Sequence, residues 1–326
     1  MEIVPAPRPA PNWTTAAGAL EGVLAWLGAP LPRHAIMGLT GHAWHACLVE
    51  RGDVVALPES VVNLDWGAMV SRYERTGVRW ERFGARVTSG NRVAAREAAL
   101  AWARSRLAEG RPIIGFDFHV HEFAIVYGID DAGEAFLVHS VMSEDMGPRA
   151  PLEDWPTATG MIELFAPGDP LEVDAAAAVV DSLRTAMELL DGAGPEDGWP
   201  RGTRALEAWA DAFAGDVQVD RAGNAYLLAV IQAARLDGAA YLGDVAANFP
   251  VVAAELSAAQ RALRDEARAL APLLTLFPFP AGGHGNVSNR ALRDTAAIAL
   301  RRAAHHEHEA RDSIAMAVRR LEAGRT

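Results

Sequence analysis

The chain has 326 residues, half of them hydrophobic, with a formal net charge of −12 and a pI near 5.3. That length predicts two domains with a core each, and the negative balance argues against a protein that wraps nucleic acid or coats an anionic membrane, since both need a positive field. All 30 basic residues are arginine, which removes phosphate-loop enzymes, protein kinases and pyridoxal enzymes, whose chemistry needs a lysine. A single cysteine, Cys47, rules out an internal disulfide and a multi-cysteine zinc site, so a reducing cytoplasm is the expected location. The proline-rich residues 1–12 have no apolar run of the signal-peptide kind, and no apolar stretch is long enough to span a membrane.

In chain order, Thr14 and Thr15 are candidate N-caps of a helix with Leu20, Val23, Leu24 and Leu27 at helical spacing, stopped by Gly28. Residues 47–49 and 54–57 read as short strands around Arg51-Gly52-Asp53, 64–75 as a helix, 78–83 as a strand and 93–107 as a helix closed by Gly110. Residues 112–129 read as one alternating strand and 135–141 as the next, with 161–165 closing the domain. Gly168-Asp169-Pro170 reads as a linker. Beyond it the chain is alanine-rich, with helices expected over 174–191, 203–214, 222–236, 240–274 (a break at Pro250) and 289–323. Residues 282–286 form a glycine-rich connector without phosphate-loop spacing. The expected architecture is α+β, residues 1–168 forming a mixed domain and 169–326 an all-helical one.

The order of the N-terminal elements carries a resemblance. Residues 15–28, Thr15 through Trp26, Leu27 and Gly28, resemble the nucleophile-bearing helix of bacteriocin-processing peptidases and butirosin-biosynthesis acyltransferases. Residues 35–41, 110–117 and 121–130 are similar to three further stretches of the acyltransferase family, and 292–321 resembles the last helix of the helical domain that often accompanies it. The resemblance implies a papain-like N-terminal domain in which a thiolate at a helix N-terminus works with a histidine from a later strand. It also implies transfer of an acyl group from a carrier-protein thioester to an amine. The partners that follow are a small molecule or acyl group and an acyl carrier protein; a homo-oligomer is compatible.

The catalytic positions depart from that pattern. Thr15 stands where the family has cysteine, Glu122 (after His121) where it has the base, His139 or Ser140 where it has aspartate, and Pro9 near its oxyanion-hole glutamine. Thr15 is internal and cannot use a terminal amine as its base; as a helix cap it needs no further role. The leading expectation is therefore a family member without cysteine catalysis that binds a small molecule or acyl group. Alternatives are an acyltransferase with His121 or His119 as general base, a metal-dependent hydrolase, and a purely structural protein with the helical half as its interaction surface. For the hydrolase, a strand of period two puts Asp117, His119 and His121 on one face as zinc ligands, and Glu122 on the apolar face unless the register slips. On the last helix, His305/Glu309 and His308/Asp312 are i,i+4 pairs, and Glu307 falls on the core-facing stripe, with Arg301 a candidate partner. Trp13 and Trp44 are candidate ligand contacts.

Overall fold

The computed structural model describes residues 2–156, 160–280 and 283–323. In chain order its principal elements are α1 (Thr15–Trp26), α2 (Arg33–Thr40), β1 (Glu50–Arg51), β2 (Val54–Val55), α3 (Met69–Glu74), β3 (Val78–Arg86), α4 (Arg92–Ala108), β4 (Ile113–Phe116), β5 (Phe123–Ile129), β6 (Ala135–His139), α5 (Ser143–Met146), β7 (Arg149–Pro151), β8 (Met161–Pro170), α6 (Ala175–Leu190), α7 (Thr203–Ala214), β9 (Gln218–Val219), α8 (Arg221–Asn248), α9 (Ala253–Leu276) and α10 (Arg290–Ala323). The fold is mixed α and β with a helical C-terminal region. Among the described residues no helix is long and apolar enough to cross a membrane.

Two units separate: Met1–Ile36 with Trp66–Val173, and Met37–Asp65 with Asp174–Thr326. The expected partition at 168/169 differs from this in one large respect, because residues 37–65 belong with the helices. The physical reason is apolar burial. Ala46, Leu48, Val55 and Val61 share one core cluster with Leu206, Trp209, Phe213 and Leu228. Gly168-Asp169-Pro170, expected as a linker, instead ends β8, whose register with β3 continues to Val78↔Pro170.

The first unit is built on a six-stranded antiparallel sheet of order β3-β8-β4-β5-β6-β7. Every residue of β4 and β5 is buried, as expected for central strands covered on both faces. Alternation along β5 separates the two coverings. Ala124 and Val126 join Ala99, Ala103 and Leu107 of α4 in one cluster, whereas Phe123 packs its ring on Trp66 (4.6 Å) and Phe116 (5.1 Å). Helix α1 packs against β4 and β5.

The residues before α1 form a strap over it. Ile3 N–H donates to Tyr127 O (2.9 Å), Trp26 Nε1 to Pro5 O (2.8 Å) and Ala10 N–H to Gly18 O (2.9 Å). Gly18 and Gly22, one turn apart, make this possible: a Cβ on Gly22 would run into the Arg8 carbonyl, and one on Gly18 into that of Ala10. We therefore expect G22A to lower the unfolding free energy by about 1–3 kcal/mol through overpacking against backbone, although alanine's helix propensity alone argues for a gain of about 1 kcal/mol. Urea unfolding of the variant checks the sign.

In the second unit α8, α9 and α10 pack side by side, with α6 and α7 against α10. Helix α8 runs unbroken through residues 236–240, where the sequence suggested a gap. Gly238, which looks like a helix stop, is instead a close-approach residue, since a Cβ there would meet the Trp44 ring. The expected break at Pro250 is present, and Ala253 opens α9.

Candidate functional site

The site forms where the amino terminus of α1 meets the β4–β5 hairpin. Phe116 pairs with Phe123, so residues 117–122 are the hairpin connection and not part of a continuous strand. This corrects the reading of 112–129 as one strand, and with it the period-two face of Asp117, His119 and His121. The reversal occurs at Asp117, a non-glycine residue at φ 74°. Such a conformation is uncommon outside glycine, with aspartate and asparagine among the few residues enriched there. The side chains of this connection therefore diverge as a loop directs them.

Thr15 is the first residue of α1, and its hydroxyl is engaged on both sides. It donates to Glu122 Oε2 (2.6 Å) and accepts from the Phe123 N–H (3.0 Å). The helix N-terminus favours the carboxylate there through its partial positive charge. The capping role expected of Thr14 or Thr15 is not what the side chains do. Thr14 is at the N-cap position without a side-chain cap bond, and Thr15 points to the sheet. Thr15 and Glu122, both singled out from the sequence, are thus hydrogen-bonded to each other as hydroxyl and carboxylate.

Beside this pair, His121 Nδ1 lies 2.6 Å from Asp117 Oδ1. Asp117 is fully buried, whereas the His121 side chain is 60% exposed. A carboxylate only accepts, so Nδ1 carries the proton. His119 points elsewhere: its Nε2 donates to the Arg149 carbonyl (3.1 Å), which leaves Nδ1 to accept from the Ser140 hydroxyl (3.1 Å). Ser140 Oγ also accepts from Met142 N–H (3.1 Å). His139 donates from Nδ1 to the Pro7 carbonyl (2.8 Å) and stacks on Tyr127 at 4.5 Å. His139 thus holds the N-terminal strap, to which Pro9 also belongs.

Several expectations are resolved by these contacts. Asp117, His119 and His121 do not converge on a metal centre; among the described residues no group of three or more His, Cys, Asp or Glu side chains is disposed to hold an ion. On α10, His305 and His306 both reach Glu309 (3.5 and 2.9 Å), and His308 bonds Glu207 (3.1 Å), not Asp312. Glu307 is buried as its stripe position predicted, but its partner is Arg235, while Arg301 pairs with Asp211. Trp44 is fully buried in the helical unit with Tyr241 at 6.4 Å; Trp13 is 40% exposed just before α1. Cys47 is buried, and burial pushes its thiol up to about 12, Arg201 opposing the rise, so it is an inert thiol. Of the glycine-rich connector, Gly282 lies outside the described residues.

Sequence reasoning missed two features. The contact of Asp117 with His121 is one; the i,i+4 spacing in a polar loop was the available signal. The pairing of Arg235 with Glu266 (2.9 Å) and Glu307 left no sequence trace. The helical unit also has a cavity of about 650 Å³ lined by Asp216–Arg221 with Val287, Ser288, Arg290 and Arg293. Its buried cation, Arg293, is spent on backbone carbonyls, among them Phe213 and Val287 (both 3.1 Å).

Compared with known proteins, the chain matches no family model and no curated protein.

Proposed function

We propose that this protein uses a papain-like scaffold, of the kind found in butirosin-biosynthesis acyltransferases, to bind a small molecule or acyl group without forming a covalent acyl-enzyme. The observation that carries this reading is the double engagement of Thr15, whose hydroxyl donates to Glu122 and accepts from Phe123 N–H. A threonine hydroxyl needs a base of matched strength to become a nucleophile, and a carboxylate in a hydrogen bond to it is a weak one. The partner this reading implies is an acyl carrier protein, or the free thioester it would present. In this reading the helical unit accompanies the binding domain, and a homo-oligomer is compatible with it.

The test is calorimetric titration with S-acetylpantetheine, followed by intact-protein mass spectrometry. We expect saturable 1:1 binding, its loss in T15W, which fills the end of α1, and no mass increase. Absence of saturable binding, or an acyl adduct on the protein, overturns the reading.

A further inference from the structure

The cavity of the helical unit has two walls, the α7–α8 connection and the segment that enters α10, and one guanidinium fixes their spacing. Arg293 is nine-tenths buried. It donates to the Gly215 (2.9 Å) and Val217 (3.0 Å) carbonyls of the first wall and to the Val287 carbonyl (3.1 Å) of the second. The first wall is tied again at β9, where Gln218 N–H donates to Asp53 O (3.2 Å) and Asp220 N–H to Val55 O (2.9 Å). Walls held in this way need no ordering when something enters between them, which lowers the cost of binding.

Most charges on these walls are already matched. The Arg293 charge is met by carbonyl dipoles, Asp220 caps α8 by accepting from Gly223 N–H (2.6 Å), and Arg290 pairs with Asp294 (2.8 Å). Two charges are left over. Among the described residues neither Asp216 nor Arg221 has an ion-pair partner, although the two are opposite in sign and line the same cavity. Arg221 makes one hydrogen bond, to the Gly283 carbonyl. It is also the first residue of α8, where the helix dipole disfavours a cation. Val217 and Val219 from one wall and Val287 from the other add apolar surface beside these charges.

We propose that this cavity binds a free α-amino acid with an aliphatic side chain, its ammonium on Asp216, its carboxylate on Arg221 and its side chain on the valines. Two opposite charges that share a cavity without meeting are complementary to a zwitterion placed between them. A guanidinium offers a carboxylate two parallel hydrogen bonds, and a carboxylate accepts from an ammonium. An anion without an amine would face the Asp216 carboxylate, and an amine without an anion would face Arg221, so both are discriminated against. The volume of about 650 Å³ is of the size that small-molecule sites have. This site lies in the helical unit and does not depend on acyl-group binding at α1.

The experiment is calorimetric titration of the whole chain with L-leucine, glycine, N-acetyl-L-leucine, which lacks the ammonium, and L-leucinamide, which lacks the carboxylate. The proteins are wild type, D216N, R221Q and the remote surface control H305N. We expect saturable binding of L-leucine to wild type and H305N, about tenfold or more tighter than binding of either derivative, as loss of a charged hydrogen bond requires. D216N should lose the preference over N-acetyl-L-leucine and keep the preference over L-leucinamide, and R221Q should do the reverse. Both side chains are exposed, so the melting temperatures of these variants should match wild type, and the comparison of ligands on wild type needs no variant at all. No saturable binding of L-leucine to wild type, equal affinity for L-leucine and either derivative, or both preferences unchanged in the two variants overturns the proposal. Glycine binding as tightly as L-leucine overturns the assignment of the side chain to the valines.

Discussion

Replacing Arg235 by methionine should destabilise the helical unit by about 3–5 kcal/mol, because it leaves buried carboxylates without their counter-ion. Arg235, Glu266 and Glu307 come from α8, α9 and α10, and all three side chains have zero exposure. Arg235 donates from Nε to Glu266 Oε1 (2.9 Å), from Nη2 to Glu307 Oε1, and from Nη1 to the carbonyls of Ala43 (2.7 Å) and His45 (3.4 Å). It therefore ties three helices to residues 43–45, which helps explain why that segment belongs with the helical unit. The second oxygens of Glu266 and Glu307 have no hydrogen-bond partner among the described residues. Replacing the whole cluster, as in R235M/E266L/E307L, should recover most of the loss, since apolar side chains of similar volume carry no desolvation cost. Denaturant unfolding followed by far-ultraviolet circular dichroism reads both changes. If R235M unfolds at the wild-type midpoint, the cluster does not hold the unit together.

The same cluster sets a pH dependence. Burial, reinforced by the nearby Glu307, raises the Glu266 carboxyl well above its ordinary value, against the opposing pull of Arg235. A folded-state value above the unfolded one means the proton is bound more tightly in the fold. The corresponding stability is fully present below the ordinary carboxylate range and is lost as pH rises through the folded value. Wild type should therefore lose stability with rising pH over that window, and E266Q, neutral throughout, should lack that slope.

The long helices were legible because periodicity over many residues is a strong signal. Helices α6, α7 and α10 fall within a residue or so of the positions that apolar spacing assigned, and Glu307 was recognisable as a core-facing carboxylate. Its partner was not, because 72 residues separate it from Arg235 and spacing within one helix carries no information about another. Residues 117–121 were misleading for a different reason. Asp-Phe-His-Val-His alternates as a strand would, and Phe118 is indeed buried, nearly parallel to Trp155 at 5.7 Å. The chain leaves the sheet at Asp117, a reversal set by one positive φ that residue type only weakly announces. Thr15 and Glu122 were named through the family resemblance, but what their hydroxyl and carboxylate do to each other became visible only when the helix N-terminus and the hairpin met in space.

That meeting allows the proposed scaffold reading to be tested by installing the cysteine and histidine of papain-like proteins at these two positions. In T15C/E122H a thiol would occupy the first residue of α1 with an imidazole at the position from which Glu122 now reaches Thr15 at 2.6 Å. The helix N-terminus and a protonated histidine both stabilise a thiolate, whereas in T15C alone the Glu122 carboxylate opposes it. We expect iodoacetamide at neutral pH to alkylate the double variant on the order of tenfold faster or more than T15C, as a thiol shifted below neutrality requires. Wild type supplies the baseline, because Cys47 is buried and its thiol pushed up to about 12. Adding H139D should increase the rate only if the strap released from His139, which now bonds Pro7, leaves room for the new carboxylate to orient the imidazole. Equal alkylation of T15C and T15C/E122H would mean that residues 15 and 122 do not meet as a nucleophile and base do in papain-like proteins, and the functional reading built on that correspondence would fall with it.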